Sequence, residues 1–389
     1  MADKIKEVPD SNKDICVELL RIIGILMVIG THIKLDGVVD YNTDIYRSFV
    51  ACAVGDGVAV FWLILGFFVF KSDNYSQKIK KMAKRVLIPL FVYSMFMLFF
   101  YDFIVGNSSI IESVKLYPSD IVYIVYYGLL RWQTVIPGCD HLWYLYVYAV
   151  VIILFPALKG IYDYLEKWFF LQDSKNKIKR LIMGVIVVLL ILLINDITFN
   201  DLLVFSHHTL SGASAAAVFV IVGALFYRNI DNIKGNIKFG ILGSVVLILT
   251  LFIRTITQHW LYNHAQGLEQ PLFWFTGFSF VSVISVLLIV FGFFEKISNF
   301  KYLSYIVSFI GKNVFGIYII HILVNDFLQN RFNLKNVVIS KFGYTGVNVL
   351  FYQIIYTLIV FIVSLLICSL FRFVIYTVKY AASESKNND

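Results

Sequence analysis

The chain has 389 residues, of which 59% are hydrophobic and only 15% are charged, and it contains 36 Phe and 24 Tyr. A water-soluble domain of this size does not need so many apolar and aromatic residues, so the composition excludes that class and indicates a polytopic membrane protein. The formal net charge of +8 would suit nucleic acid or anionic lipid, depending on where the basic residues lie.

The N-terminal residues MADKIKEVPDSN carry charges of both signs, and the apolar run that follows has no small-residue cleavage site. We therefore expect no removable signal peptide and a first helix that stays in the mature protein. The cysteines are scattered singly, at Cys16, Cys52, Cys139 and Cys368. This spacing gives neither a C-x-x-C metal pair nor a dense disulfide framework, and it leaves open whether Cys52 pairs with Cys139.

About ten apolar runs have the length that crosses a bilayer as an α-helix. They lie roughly at 15–35, 49–70, 86–105, 142–159, 181–195, 211–227, 237–253, 272–294, 305–324 and 346–371. The predicted fold class is an all-α polytopic membrane protein with about ten transmembrane helices. Its predicted parts are an N-terminal segment at 1–14, a transmembrane domain at 15–371 and a tail at 372–389, whose polar end we expect to be disordered.

Lys and Arg are distributed unequally between alternate connections. With ten spans, roughly three quarters of the 33 Lys and Arg residues fall on the side that also holds both termini. Cytoplasmic loops carry such an excess, so both termini are predicted to be cytoplasmic. Topology then explains most of the surplus positive charge, and the nucleic-acid alternative loses its support.

The first predicted span contains Arg21 and His32 within the apolar stretch ELLRIIGILMVIGTHIKLDG. Their spacing is almost three helical turns, so both side chains point along nearly the same face, roughly 16 Å apart along the axis. Glu18, three residues before Arg21, is placed to neutralise part of its charge. Two interpretations stay open: each residue marks a membrane interface, or both face the bundle interior as functional groups. The second explains better why the two share one face.

The third predicted span begins with KIKKMAKRVLIPLF, a basic segment on the cytoplasmic side. Most of its lysines fit an ordinary cytoplasmic loop. Lys84 and Arg85 are close enough to the apolar run to enter the bundle and neutralise phosphate groups there.

Two further histidines are predicted to lie near the outer face, at the same depth as His32. His141 begins the fourth span in GCDHLWYLYVYAVVIILFP, with Trp143 and Tyr144 beside it, and His321 lies toward the outer end of the ninth span in GKNVFGIYIIHIL. A histidine there is a plausible proton acceptor. The alternative is an interfacial belt, which fits Trp143 and Tyr144 well.

Polar residues elsewhere on the outer side give weaker signals. His207 and His208 form a pair without further ligands, so we predict no metal site. The segment RTITQHWLYNHAQGLEQP, which begins at Arg254, combines aromatic and hydrogen-bonding residues. Such a segment suits a sugar-binding surface, and an ordinary interfacial loop would look the same.

Five segments in this order resemble the acyltransferase 3 family of bacterial membrane acyltransferases. They are ELLRIIGILMVIGTHI, GVAVFWLILGFFVF, KRVLIPLF, HLWYLYVYAVVIILFP and FGIYIIH. The Arg and His of the first segment are the most specific match. Two positions depart from the family pattern: Leu65 precedes Gly66 where the family often has Ser, and Met82 stands three residues before Arg85 where the family often has a second Arg.

The resemblance implies transfer of an acyl group, commonly acetyl, from cytoplasmic acyl-CoA to a hydroxyl of an extracytoplasmic envelope glycan, in the bacterial cytoplasmic (inner) membrane. It implies His32 as the general base and Arg21 as a residue that holds acyl-CoA, a role to which the basic segment adds Lys84 and Arg85. The expected supporting or acceptor-side residues are Glu18, His141, Trp143, Tyr144 and His321. Acyl-CoA is then a substrate, and neither a bound cofactor nor a metal is expected. The expected partners are acyl-CoA, the glycan and the lipid bilayer, without nucleic acid.

A transporter or exporter of a small polar or glycan-related substrate remains the alternative, because intramembrane Arg and His also mark substrate and proton pathways. Substrate flux without acyl-CoA would favour transport. A purely scaffolding role would give the Arg21 and His32 pair no purpose. The sequence leaves open whether the chain forms a homo-oligomer.

Overall fold

The structure is a computed structural model that describes residues 14–33, 45–106, 136, 138–171, 184, 207–264 and 277–387. Every regular element in these ranges is helical. The α-helices are α1 (Ile15–His32), α2 (Ile45–Val54), α3 (Gly57–Val69), α4 (Tyr75–Met82), α5 (Ile88–Val105), α6 (Trp143–Ile153), α7 (Phe155–Glu166), α8 (His207–Arg228), α9 (Ile237–His264), α10 (Gly277–Phe293), α11 (Lys301–Phe332), α12 (Leu334–Phe342) and α13 (Asn348–Asn387). Turns of 3₁₀ helix lie at Asp140–Leu142, Ile230–Asn232 and Glu295–Asn299, and π-helical segments lie at Ala83–Leu87 and Lys167–Leu171.

Within the described ranges, six helical segments are long and apolar enough to cross a membrane. They are Ile15–His32, Ile45–Val69, Tyr75–Val105, Ile237–Trp260, Lys301–Phe332 and Asn348–Val378. Two shorter apolar helices, Ala213–Arg228 and Gly277–Phe293, coincide with further predicted spans. The all-α membrane fold is thereby confirmed. The predicted span at 181–195 lies outside the described residues apart from Gly184, and the total of ten spans and the cytoplasmic termini stay predictions.

The predicted fourth span is not one continuous helix. Asp140–Ile153 and Phe155–Phe169 meet at an angle of 69°. Pro156, in the first turn of α7, has no N–H to continue the helical bonding of α6, which explains the break at Leu154. At the other end of the chain, α13 continues to Asn387, so the expectation of a disordered polar tail is wrong over most of its length.

Helix α1 lies at the centre of the described bundle. It packs against α2, α3, α10, α11 and α13, and Ile25 and Ile29 are completely buried. At its start, the Asp14 carboxylate accepts the Cys16 N–H at 3.1 Å as an N-cap and lies 2.8 Å from the Lys234 ammonium. Burial lowers the pKa of Lys234, but the hydrogen bond and charge of Asp14 outweigh it, so the pKa is raised above its usual value.

All four cysteines are buried and free. The pairing of Cys52 with Cys139 that the sequence left open therefore does not form in this structure.

Candidate functional site

Three histidines from distant parts of the chain meet at one end of α1. The ring centroids are 5.4 Å apart for His32 and His321, 6.1 Å for His32 and His141, and 4.7 Å for His141 and His321. His32 is the last residue of α1, His141 lies in the 3₁₀ turn before α6, and His321 lies within α11. The similar depth expected from sequence thus becomes direct proximity of the three rings.

Backbone carbonyls fix the tautomers of two of these rings. His141 Nε2 lies 3.1 Å from the Ile319 carbonyl oxygen, and His321 Nδ1 lies 2.7 Å from that of Tyr318. Because a carbonyl only accepts, the nitrogen that faces it must carry the proton in each ring. The opposite nitrogens, Nδ1 of His141 and Nε2 of His321, are then bare. Both are buried and have no hydrogen-bond partner among the described residues.

Tyr318 holds the turn that carries His141. Its hydroxyl donates a hydrogen bond to the His141 carbonyl oxygen, and its side chain is buried. Tyr318 therefore contacts His141 through its side chain and His321 through its carbonyl. Tyr318 lies in the GIYIIH segment but was not among the predicted site residues. The spacing of three residues between Tyr318 and His321, about one helical turn, was the signal that could have identified it.

Tyr144 and Trp143 were both expected on the acceptor side, and both rings lie beside that of Trp62. The Tyr144 ring lies 5.6 Å from that of Tyr318, which places it beside the histidine cluster. The Trp143 ring lies 6.1 Å from that of Trp62 on α3. Both side chains are only partly exposed and pack within the bundle, and the contact with Tyr318 brings Tyr144 toward the site.

The Arg21 and Glu18 pair occupies the opposite half of α1. Arg21 Nη1 lies 2.8 Å from Glu18 Oε1, with about a third of the Arg21 side chain exposed (34%) and Glu18 almost fully buried. Glu18 packs against Gly311 of α11, where any larger side chain would collide with Oε2. Arg21 also interacts electrostatically with the Tyr144 hydroxyl.

Lys84 and Arg85 lie in the π-helical segment that precedes α5. Pro89 cannot donate a backbone hydrogen bond, and the Ile88 N–H bonds to the Ala83 carbonyl in the π pattern. Both charged side chains are exposed. The expectation that they enter the bundle interior is therefore wrong, because apolar neighbours such as Val86 occupy the buried face of this segment.

Arg85 also acts electrostatically on a residue of α6. It interacts electrostatically with Tyr148, which lies one helical turn after Tyr144 on α6.

A second buried polar cluster was missed by sequence analysis. Arg254 was assigned to an outer segment, but it lies within α9 with no exposed surface. Its Nη1 and Nη2 atoms lie 2.5 Å and 3.3 Å from the two carboxylate oxygens of Asp56. The only signal in the sequence for this cluster was one acidic residue in GDG and one basic residue in RTIT, each within an otherwise apolar stretch.

No arrangement suited to a metal ion occurs among the described His, Cys, Asp and Glu residues. The pair His207 and His208 is described only as part of helix α8.

Comparison with known proteins gives one match. The family profile described as an acyltransferase domain, acyltransferase 3, matches residues 14–372. Neither a curated protein nor a solved structure matches the chain. Because the profile spans nearly the whole chain, including both ends of α1 and all three clustered histidines, the chain belongs to the acyltransferase 3 family of membrane acyltransferases.

Proposed function

We propose that this membrane acyltransferase moves an acyl group, commonly acetyl, from cytoplasmic acyl-CoA to a hydroxyl of an extracytoplasmic envelope glycan, in a bacterial cytoplasmic membrane. The observation that carries the proposal is the cluster of His32, His141 and His321, two of which present bare ring nitrogens. The family supplies the reaction class. The acyl-CoA donor, the acetyl group and the glycan acceptor are the parts that we propose.

His32 acts as the general base in this proposal. Its imidazole takes the proton of the acceptor hydroxyl as the oxygen attacks the thioester carbonyl carbon. The tetrahedral intermediate then collapses: the carbon–sulfur bond breaks, and the CoA thiolate leaves with the proton that His32 received. The products are an acyl ester and CoA–SH. His141 Nδ1 and His321 Nε2 accept hydrogen bonds from hydroxyl groups of the acceptor and hold it in the attacking position.

The donor reaches the histidines from the half of α1 that carries Arg21. We assign the phosphates of acyl-CoA to the surface of Lys84 and Arg85, because exposed cations attract them without the cost of burial. Arg21 and Tyr144 line the next part of the path. The distance of roughly 16 Å along α1 between Arg21 and His32 is then spanned by the extended arm that carries the thioester.

Protein reconstituted in vesicles with acetyl-CoA tests the donor. We expect CoA release that depends on an added envelope glycan fraction, and a loss of at least about 100-fold in the His32→Ala variant, as general-base catalysis contributes that much. Tyr305→Phe is the control, because Tyr305 is an exposed residue of α11 outside the cluster. Full activity of His32→Ala in folded protein would refute the role of His32.

Mass spectrometry of envelope glycans identifies the acceptor. Glycans from cells with the wild-type protein should carry the mass of one added acyl group, and glycans from cells with His32→Ala should lack it. Movement of glycan across the vesicle membrane without acyl-CoA, and without any mass change, would instead support the transporter alternative.

A further inference from the structure

The buried Asp56 and Arg254 pair lies next to α1, the helix that carries His32. Arg254 is fully buried and Asp56 is 1% exposed. Arg254 Nη1 also donates a hydrogen bond to the Ser282 hydroxyl of α10 at 3.1 Å. Asp56 lies in the short break between α2 and α3. The pair therefore links this break to α9 and α10.

The Asp56 side chain binds Arg254 instead of capping the start of α3. An Asp immediately before a helix normally accepts backbone N–H groups of the first turn. Asp56 precedes α3 but makes no such side-chain bond, since its two oxygens bind Arg254. A buried ion pair is weak support for stability because desolvation offsets its attraction, and its better attested use is to specify one geometry.

The break that Asp56 occupies lies directly against α1. A Cβ atom on Gly57 would lie 2.8 Å from the Gly24 carbonyl oxygen and from the Val28 nitrogen, so the backbones of α3 and α1 touch there. On the other side of the break, the Val54 carbonyl accepts a hydrogen bond from the Thr31 hydroxyl at 2.9 Å.

The last turn of α1 also contacts α13. The Gly30 carbonyl accepts a hydrogen bond from Gln353 Nε2 of α13 at 2.7 Å. Gly30 also packs against Val54, because a Cβ on Gly30 would lie 2.9 Å from Val54 Cγ1. Gly30 and Thr31 immediately precede His32. The break and α13 therefore contact the two residues that immediately precede His32.

We propose that the Asp56–Arg254 ion pair is a positioning element that fixes the break between α2 and α3, and through it the His32 ring relative to His141 and His321. The proposed effect on the break rests only on the contacts of Asp56 with Arg254 and of the break with α1. The effect on catalysis rests on the proposed function of His32.

A disulfide cross-link between the last turn of α1 and the end of α2 measures their contact without requiring enzyme activity. In a Gly30→Cys/Val54→Cys variant the two Cβ atoms would be 3.2 Å apart, near the separation of about 3.5–4.5 Å found in disulfides. We expect rapid cross-linking with copper phenanthroline when the ion pair is intact. Gly30→Cys alone controls for reaction with native cysteines, in particular Cys52.

The ion pair is then removed without leaving a charge buried. Asp56→Leu/Arg254→Met replaces the pair with apolar side chains, which buried sites often tolerate. We expect cross-linking to slow at least about tenfold and kcat to fall by a similar factor, with an unchanged KM for acetyl-CoA. Lys159→Gln, which removes the surface pair of Lys159 with Asp163, should change neither. Arg254→Lys should recover part of both effects.

The two proposals fail in different ways. Unchanged cross-linking and unchanged kcat in the folded Asp56→Leu/Arg254→Met protein would overturn the positioning role. Slower cross-linking at unchanged kcat would confirm the link to the break and refute its effect on His32. Failure of the proposed function would appear as the absence of acyl transfer in the wild-type protein, with the cross-linking result intact.

Discussion

His321 Nδ1 lies 2.7 Å from the carbonyl oxygen of Tyr318, one turn earlier on the same helix. This bond uses the protonated nitrogen of the ring and leaves Nε2 as an acceptor, buried and without a hydrogen-bond partner among the described residues. A buried polar atom without a partner needs an explanation. A hydroxyl group of the acceptor, which would donate to Nε2, supplies one.

Substitutions of His321 whose side-chain amide replaces one ring nitrogen at a time test this assignment. Asn at position 321 places an amide near Nδ1 and keeps the bond to the Tyr318 carbonyl, whereas Gln places an acceptor oxygen near Nε2. We expect His321→Gln to retain about tenfold more activity than His321→Asn, because one hydrogen bond is worth about 1.4 kcal/mol. Steady-state kcat with acetyl-CoA measures the difference. Equal loss in both variants would contradict an acceptor role for Nε2.

The hydroxyl of Tyr318 is predicted to act through His141. Tyr318→Phe keeps the ring but removes the hydrogen bond to the His141 carbonyl, so we expect a loss of about 1 kcal/mol in stability. The 3₁₀ turn of His141 should then be less well fixed, and kcat should fall several-fold without a change in the KM for acetyl-CoA.

Tyr305→Phe is the control for this substitution. Tyr305 lies on the same helix and is 57% exposed, so loss of its hydroxyl should leave both stability and kcat unchanged. A thermal unfolding measurement in detergent and a kinetic assay compare the two variants. A Tyr318→Phe protein that matches Tyr305→Phe in both would show that the hydroxyl does not position His141.

Arg21 is predicted to contribute to acyl-CoA binding. Substitution of Arg21 alone would leave the buried Glu18 carboxylate without its partner, so a double variant, Glu18→Gln/Arg21→Gln, separates binding from folding. We expect binding of CoA to weaken by about 10- to 150-fold, as one charge-assisted hydrogen bond contributes about 1.5–3 kcal/mol. Equilibrium binding of CoA to the purified protein is the measurement.

Lys159→Gln removes another cation near the membrane surface and should leave CoA affinity unchanged. If Glu18→Gln/Arg21→Gln binds CoA as tightly as the wild-type protein does, Arg21 is a structural residue that serves only to neutralise Glu18.

Local periodicity predicted what lies on a single helix. The spacing of Arg21 and His32 on α1, and the proximity of Glu18 to Arg21, follow from helical geometry alone. The contact of His32 with His141 and His321 depends on how α1, α6 and α11 pack, which no local pattern specifies. Only their similar depth was predictable.

The errors have related physical causes. Arg254 was assigned to the outer surface because an arginine near the end of an apolar run usually lies at an interface. Its burial depends on Asp56, about 200 residues earlier in the chain. Lys84 and Arg85 were expected inside the bundle, but the side of the π-helical segment that faces inward could not be inferred from the usual 3.6-residue period.

The topology prediction can be tested at the segment that the structure leaves undescribed. If 181–195 is a span, a reporter fused after residue 200 lies outside the cell and both termini lie inside. Alkaline phosphatase, which is active only outside, should then be active when fused after residue 200 and inactive after residue 389. A green fluorescent protein fused to the C-terminus should be fluorescent. Activity of alkaline phosphatase at the C-terminus would contradict the ten-span arrangement, and with it the placement of Arg21 on the side from which cytoplasmic acyl-CoA enters.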